Sequence, residues 1–148
     1  MIKKMFFLVF FVILLSNFSQ ANSIKQLLNK SDSRSFSTIL KLAKKGNVKA
    51  MYYVGLSYEI GNGTDINYKK AAKWYKKAAK AGYSKAQYNL AFMYRYGYGV
   101  RKNLVLSYKW FYILGDKNEC YLDSQEMTKP EIREAIKLAN KWIRKHSG

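Results

Sequence analysis

The sequence has very little of what usually builds chemistry: of its 148 residues one is cysteine, one proline, one histidine and nine are carboxylates. A lone Cys120 cannot close a disulfide within the chain, so no disulfide framework supports the fold. With His146 as the sole imidazole, close to the C-terminal end, a Ser/His/Asp or Cys/His arrangement is hard to assemble, and no His/Cys cluster has metal spacing. Six of the nine carboxylates, Asp116, Glu119, Asp123, Glu126, Glu131 and Glu134, lie in the tail. Their spacing suits helix and loop surface better than a paired acid and base. The chain therefore reads as non-catalytic, with no cofactor and no metal.

The scarcity of acid sets off 27 lysines and arginines, a net charge of +18. The imbalance is local: 18 basic residues face Asp32, Glu59 and Asp65 between Asn22 and Gly115, whereas seven face six from Asp116 onward. Such charge speaks to partners and association rates rather than to fold. An acidic protein is the expected partner, an anionic envelope surface is a second, and nucleic acid is not expected.

At the start of the chain, Lys3 and Lys4 precede an unbroken apolar run from Met5 to Leu15, and Ser19-Gln-Ala21 supplies small residues before a cut. This pattern is that of a secretory signal peptide over 1–21, cleaved after Ala21. Eleven apolar residues fall short of the roughly 20 that span a bilayer. The expected location is the periplasm or beyond. What remains, 22–148, is long enough for one domain with a modest core.

Within it the chain repeats itself. Ala50, Tyr52, Gly55, Tyr58, Gly61, Gly63, Trp74 and Tyr75 recur as Ala86, Tyr88, Ala91, Tyr94, Gly97, Gly99, Trp110 and Phe111, each 36 positions on. In each copy small and aromatic residues three and four apart predict a helix, a glycine pair predicts its end, and Asn67 or Asn103 opens a second helix. A helix-turn-helix unit repeated at this period buries its apolar face only by stacking on its neighbours.

The residues Ala86-x-Tyr88-Asn-Leu90, Tyr94-x-x-Gly97-x-Gly99-Val100 and Ala71-x-x-Trp74-Tyr75-x-Lys77-Ala78-Ala79-x-x-Gly82 make the chain resemble the Sel1-like repeat proteins, relatives of the tetratricopeptide repeats. Ala91 departs from the usual glycine, and Leu114-Gly115-Asp116 stands where a double alanine is usual. The resemblance implies an all-α fold, a right-handed α/α solenoid with a C-terminal capping helix. Its plan is a degenerate half repeat over 22–46, repeats over 47–82 and 83–118, and a cap over 119–148. In the N-terminal half repeat, Ile24, Leu27 and Leu28 predict a short helix, Ser31 to Ser35 a loop, and Ile39 to Ala43 a helix ending at Gly46.

On the helix after Asn67, Lys69, Lys73, Lys76 and Lys80 fall on one line with Lys70 and Lys77 beside it, opposite Ala71, Trp74, Tyr75, Ala78 and Ala79. The stripe serves either an acidic partner or plain solvation of a convex face. In the next copy Lys69, Lys70, Lys76 and Lys77 become Val105, Leu106, Tyr112 and Ile113, an apolar face that must be covered. Thr128-Lys-Pro-Glu131 opens a helix with a capping box and a proline in the first turn, and Ile132, Ala135, Ile136, Leu138, Ala139, Trp142 and Ile143 continue it. The helix from Thr128 to about Lys145 is expected to cover that face.

Gly61-x-Gly63 and Gly97-x-Gly99 join helix to helix with no preceding strand, so they read as turns rather than phosphate loops. The resemblance implies an adaptor or scaffold whose first helices line a partner-binding groove. It also permits an immunity-type inhibitor that silences a toxin enzyme delivered to the periplasm. Groove candidates outside the repeated pattern are Met51, Tyr53, Ser57 and Glu59 in one unit and Gln87, Asn89, Phe92, Arg95 and Tyr96 in the next; Tyr, Arg and Met are common at interfaces. The alternative for Phe92 is core, and for Asn89 a brace within the fold. A hydrolase activity, proposed for cysteine-rich members of the family, lacks its cysteines here.

Overall fold

The computed structural model describes residues 33–147. The signal-peptide segment and the short helix expected at Ile24 to Leu28 lie outside them. Among the described residues seven helices follow one another: α1 Ser33–Lys44, α2 Val48–Ile60, α3 Tyr68–Lys80, α4 Ser84–Tyr96, α5 Leu104–Leu114, α6 Lys117–Ser124 and α7 Lys129–His146. From α1 to α6 each packs on the next. Among the described residues there is no strand.

The helix starts follow local rules. Asn47, Asn67, Asn103 and Asp116 each accept a backbone N–H three residues on, satisfying one of the donors a helix leaves unpaired. Of the loop expected over Ser31 to Ser35, the described residues Ser33, Arg34 and Ser35 are instead the first turn of α1. Ser35, Ile39 and Ala43 form one buried stripe, and Phe36 meets Tyr58 edge-on at 5.2 Å. Burial against α2 decides where a serine-rich stretch on its own would favour a turn.

Two equivalent positions show how the repeats differ. A Cβ on Gly55 would lie 2.6 Å from the Tyr75 ring, so glycine lets α3 sit against α2. The counterpart of Tyr75 is Phe111, and there Ala91 is fully buried. The Tyr75 hydroxyl donates to Glu59 at 2.5 Å. Thirty-six residues on, the glutamate has become Arg95, whose guanidinium lies 4.7 Å from the Phe111 ring.

The C-terminal helix forms with the expected capping box: the Thr128 N–H donates to Glu131 Oε2 at 2.8 Å and the Glu131 N–H reaches Thr128 Oγ1 at 3.5 Å. It packs on α5, where Trp142 meets Trp110 edge-on at 5.9 Å and Leu106 and Ile113 join the same core. At its far end one His146 ring nitrogen lies 3.2 Å from the Lys80 carbonyl oxygen of α3. Of the four positions expected beneath α7, Val105 is half-buried and Tyr112 is exposed. Tyr112 lines a cleft between α5 and α6 instead.

The sequence reading contained no helix at Lys117–Ser124. That helix, α6, is anchored by charge. Arg95 Nε donates to Asp123 Oδ1 at 2.6 Å, Nη1 to Glu119 Oε2 at 2.5 Å, and Nη2 to the Glu119 carbonyl at 2.9 Å. Asp123 is 2% exposed, so this carboxylate belongs to the interior and not to the helix surface expected of it. Burial works against the Arg95 charge, but the hydrogen bonds and charges of Asp123 and Glu119 outweigh it and raise its pKa.

Candidate functional site

Repeat packing leaves one side of α2 and α4 open. A groove of about 320 Å³ runs between them, lined by Tyr52, Lys85, Tyr88, Asn89, Leu114 and Asp116 among others. Asn89, on α4, faces the Tyr75 hydroxyl, so the groove floor adjoins the Glu59–Tyr75 pair. Burial first, then the Glu59 hydrogen bond, raises the Tyr75 pKa, which keeps this phenol a neutral donor.

From the groove a row of rings continues along α4 and into the turn beyond it. Tyr88, Phe92 and Tyr96 stand one helical turn apart, as the four-residue spacing dictates. Their centroids lie 4.8 Å and then 6.1 Å apart. Tyr98 follows at 5.8 Å, and Tyr68, the first residue of α3, at 5.7 Å. Gly99 makes the last step possible: its φ is +66°, and a Cβ there would collide with the Tyr68 backbone. Tyr68, Tyr88, Tyr96 and Tyr98 are between 40% and 56% exposed. Aromatic surface is costly to leave in water and is concentrated at interface cores.

The nine groove candidates divide sharply. Ser57 and Gln87 are buried, and Gln87 Nε2 donates to the Ala79 carbonyl at 3.2 Å. Arg95 is spent on Glu119 and Asp123. These three are corrected from surface to interior: Gln87 and Arg95 satisfy buried polar partners that solvent-facing residues would leave orphaned, and Ser57 is packed within the buried face of α2. Met51 and Tyr53 are half-buried and pack against the core. Asn89, Phe92 and Tyr96 reach the open face. Glu59 holds Tyr75. Tyr88, Tyr98 and Tyr68 were missed, although Tyr88, Phe92 and Tyr96 repeat every four residues and so must share one helix face.

The six lysines of α3 are all exposed. Lys70 lies 5.1 Å from the Tyr58 ring and Lys77 lies 4.3 Å from Trp74, so aromatic faces steady two of them. Lys109 joins this field, its pKa lowered by burial and then by Lys80 and Lys76.

A larger cleft, about 610 Å³, lies between α5 and α6, with Tyr108, Tyr112, Tyr121 and Cys120 in its lining. Burial, then Asp123 and Asp116, push the Cys120 thiol up to about 11. The thiol is therefore protonated at neutral pH and is a poor nucleophile.

The model of the Sel1 repeat matches the chain three times, over residues 48–83, 84–116 and 112–147. The third match falls on α6 and α7, where the sequence reading had placed a cap. Two solved structures are similar. One is c5321, a protective antigen present in uropathogenic Escherichia coli strains and displaying an SLR fold. It is 27% identical with a TM-score of 0.72, over 77% of this chain and 26% of its own. The other, a Sel1 repeat protein from Oxalobacter formigenes, is 27% identical with a TM-score of 0.58, over 76% of this chain and 50% of its own. The chain thus spans about a quarter and about half of these two proteins. A search of curated proteins returns no match. No described helix is long and apolar enough to cross a membrane.

Proposed function

Because the chain belongs to the Sel1 repeat family, whose members are generally protein-interaction modules, we propose that it is an exported, non-catalytic binding module whose partner is an acidic protein. The observation that carries this is the band of exposed rings on α4 and the turn after it, beside the α2–α4 groove. Solvation alone gives no reason to gather four half-exposed tyrosines in one place. The excess of basic over acidic residues, together with interface-type aromatics, favours an acidic surface. Export rests on the signal-peptide pattern of residues 1–21. The role fits a periplasmic scaffold, and equally an immunity-type inhibitor of a delivered toxin enzyme.

The test is capture of periplasmic and secreted proteins on tagged Asn22–Gly148, washed at low and then high salt. One protein retained in fixed stoichiometry through high salt supports the reading, and its identity separates scaffold from inhibitor. Only anionic material, released by salt, contradicts it.

A second reading is supported by the exposure of Lys69, Lys70, Lys73, Lys76, Lys77 and Lys80 together on α3: adhesion to lipopolysaccharide or an anionic membrane surface. Such binding falls steeply with ionic strength. Replacing the six by glutamine should abolish sedimentation with anionic vesicles while leaving capture of a protein partner intact. Unchanged sedimentation removes this reading.

A further inference from the structure

The angles between the rings of the α4 band say which parts of them a ligand can touch. Phe92 and Tyr96 are inclined by only 16°, Tyr68 and Tyr98 by 27°, and Tyr96 and Tyr98 by 30°. Neighbours this nearly parallel stand against part of one another's faces, Tyr88 meets Phe92 and Phe111 edge-on at 61° and 79°, and ring edge and phenol oxygen are part of what the row leaves to solvent. A stacked base or a cation needs a free ring face, which the neighbouring rings partly occupy. Edges are apolar and weakly positive. Among the described residues, the hydroxyls of Tyr68, Tyr88, Tyr96 and Tyr98 have no hydrogen-bond partner, so each is a free donor. Lys85, in the groove lining three residues before Tyr88, and Arg101, two residues after Gly99, are exposed and flank the row.

Resting on the protein-binding reading, we propose that this ridge receives an extended acidic segment of the partner. Apolar side chains would lie against the ring edges, and carboxylates would accept from the phenols and pair with the flanking cations. The spacing suits it. Residues on one side of an extended strand are about 6.6 Å apart, close to the 4.8–6.1 Å between successive rings. A second copy of this chain is the wrong occupant, since it brings the same basic flanks to the ridge.

The experiment compares four fluorescent probes on Asn22–Gly148 at physiological salt: ten-residue peptides alternating Glu and Phe, Lys and Phe, or Glu and Ser, and a ten-nucleotide oligothymidylate. The Glu-Phe peptide should bind at least tenfold tighter than the other three. The variant Tyr88→Ser/Tyr96→Ser/Tyr98→Ser should weaken it at least tenfold while circular dichroism shows the helices retained, the melt falling only by what the lost ring contacts contribute. Glutamine at the six α3 lysines should change its affinity less than threefold. Equal binding of the Glu-Ser peptide would reduce the site to general polycation attraction and overturn the proposal. Oligothymidylate binding lost in the tyrosine variant would overturn it in favour of base stacking. If a protein partner is captured through high salt but the tyrosine variant holds it as well, the ridge proposal falls and the binding-module reading stands; if no protein is captured, that reading itself falls.

Discussion

Arg95→Met tests whether buried charge holds the third repeat to the second. The substitution removes two carboxylate contacts, at 2.6 Å to Asp123 and 2.5 Å to Glu119, and a hydrogen bond at 2.9 Å to the Glu119 carbonyl. The methionine stem keeps much of the contact with Phe111. Glu119, with its side chain 19% exposed, can turn to water, but Asp123, with its side chain fully buried, cannot. Its Oδ2 already lacks a partner, so the variant strands the whole carboxylate. Breaking a buried pair in this way costs about 3–5 kcal/mol, a large part of the roughly 5–15 kcal/mol that holds a domain together. For a chain of this size that corresponds to a fall of about 10–20 °C in melting temperature. Urea unfolding followed by circular dichroism gives the free energy directly. The double variant Arg95→Met/Asp123→Leu should recover much of the loss, because an apolar pair of similar bulk needs no desolvated charge. A loss below about 1 kcal/mol for Arg95→Met would mean the cluster behaves as a surface ion pair, and the account of α6 would be wrong.

Other consequences can be checked singly. Gly55→Ala pushes a methyl group into the Tyr75 ring and should cost about 1–3 kcal/mol by urea unfolding; a neutral result would mean that α2 and α3 have slack between them. Thr128→Ala removes the cap of α7 and should cost about 1 kcal/mol, with stability equal to wild type refuting the capping role. The Thr128 backbone N–H, then its hydroxyl, lower the Glu131 pKa. A depressed carboxylate stabilises above its unfolded pKa, and that stability is lost as pH falls through the folded value. Glu131→Gln should therefore flatten the acid limb of a stability profile, and an unchanged limb would contradict the assignment. Cys120, its thiol pushed up to about 11, should react with iodoacetamide at pH 8 far more slowly in the folded chain than in urea; equal rates would show it is not shielded.

The 36-residue period made α2 to α5 legible from sequence, because each copy carries its own caps, glycines and apolar face, and these are local signals. The third repeat was legible only as a capped amphipathic helix. In α6, polar and charged residues outnumber apolar ones, and what anchors the helix is Arg95, 24 and 28 residues away. No periodicity encodes that. The same physics misdirected the site. Gln87 and Arg95 look like surface residues by type, and only the distant Ala79, Glu119 and Asp123 make them interior. Tyr88, the twin of Tyr52, belongs to the repeated pattern and so falls outside the groove candidates. Yet Tyr88 is 40% exposed and begins the row of rings on α4. A search for aromatics at four-residue spacing would have found it with Phe92 and Tyr96. Tyr68 and Tyr98 join that row only through the turn at Gly99, a tertiary contact.

The measurement closest to the central claim is side-by-side capture from periplasmic and secreted fractions on three tagged chains, washed at high salt and quantified by mass spectrometry. The three are wild-type Asn22–Gly148, Tyr88→Ser/Tyr96→Ser/Tyr98→Ser, and the chain with glutamine at the six α3 lysines. The account predicts one acidic protein, held in fixed stoichiometry by the wild-type and glutamine chains and lost from the tyrosine variant. Retention by the tyrosine variant and loss from the glutamine variant would contradict it and move binding to the lysine face.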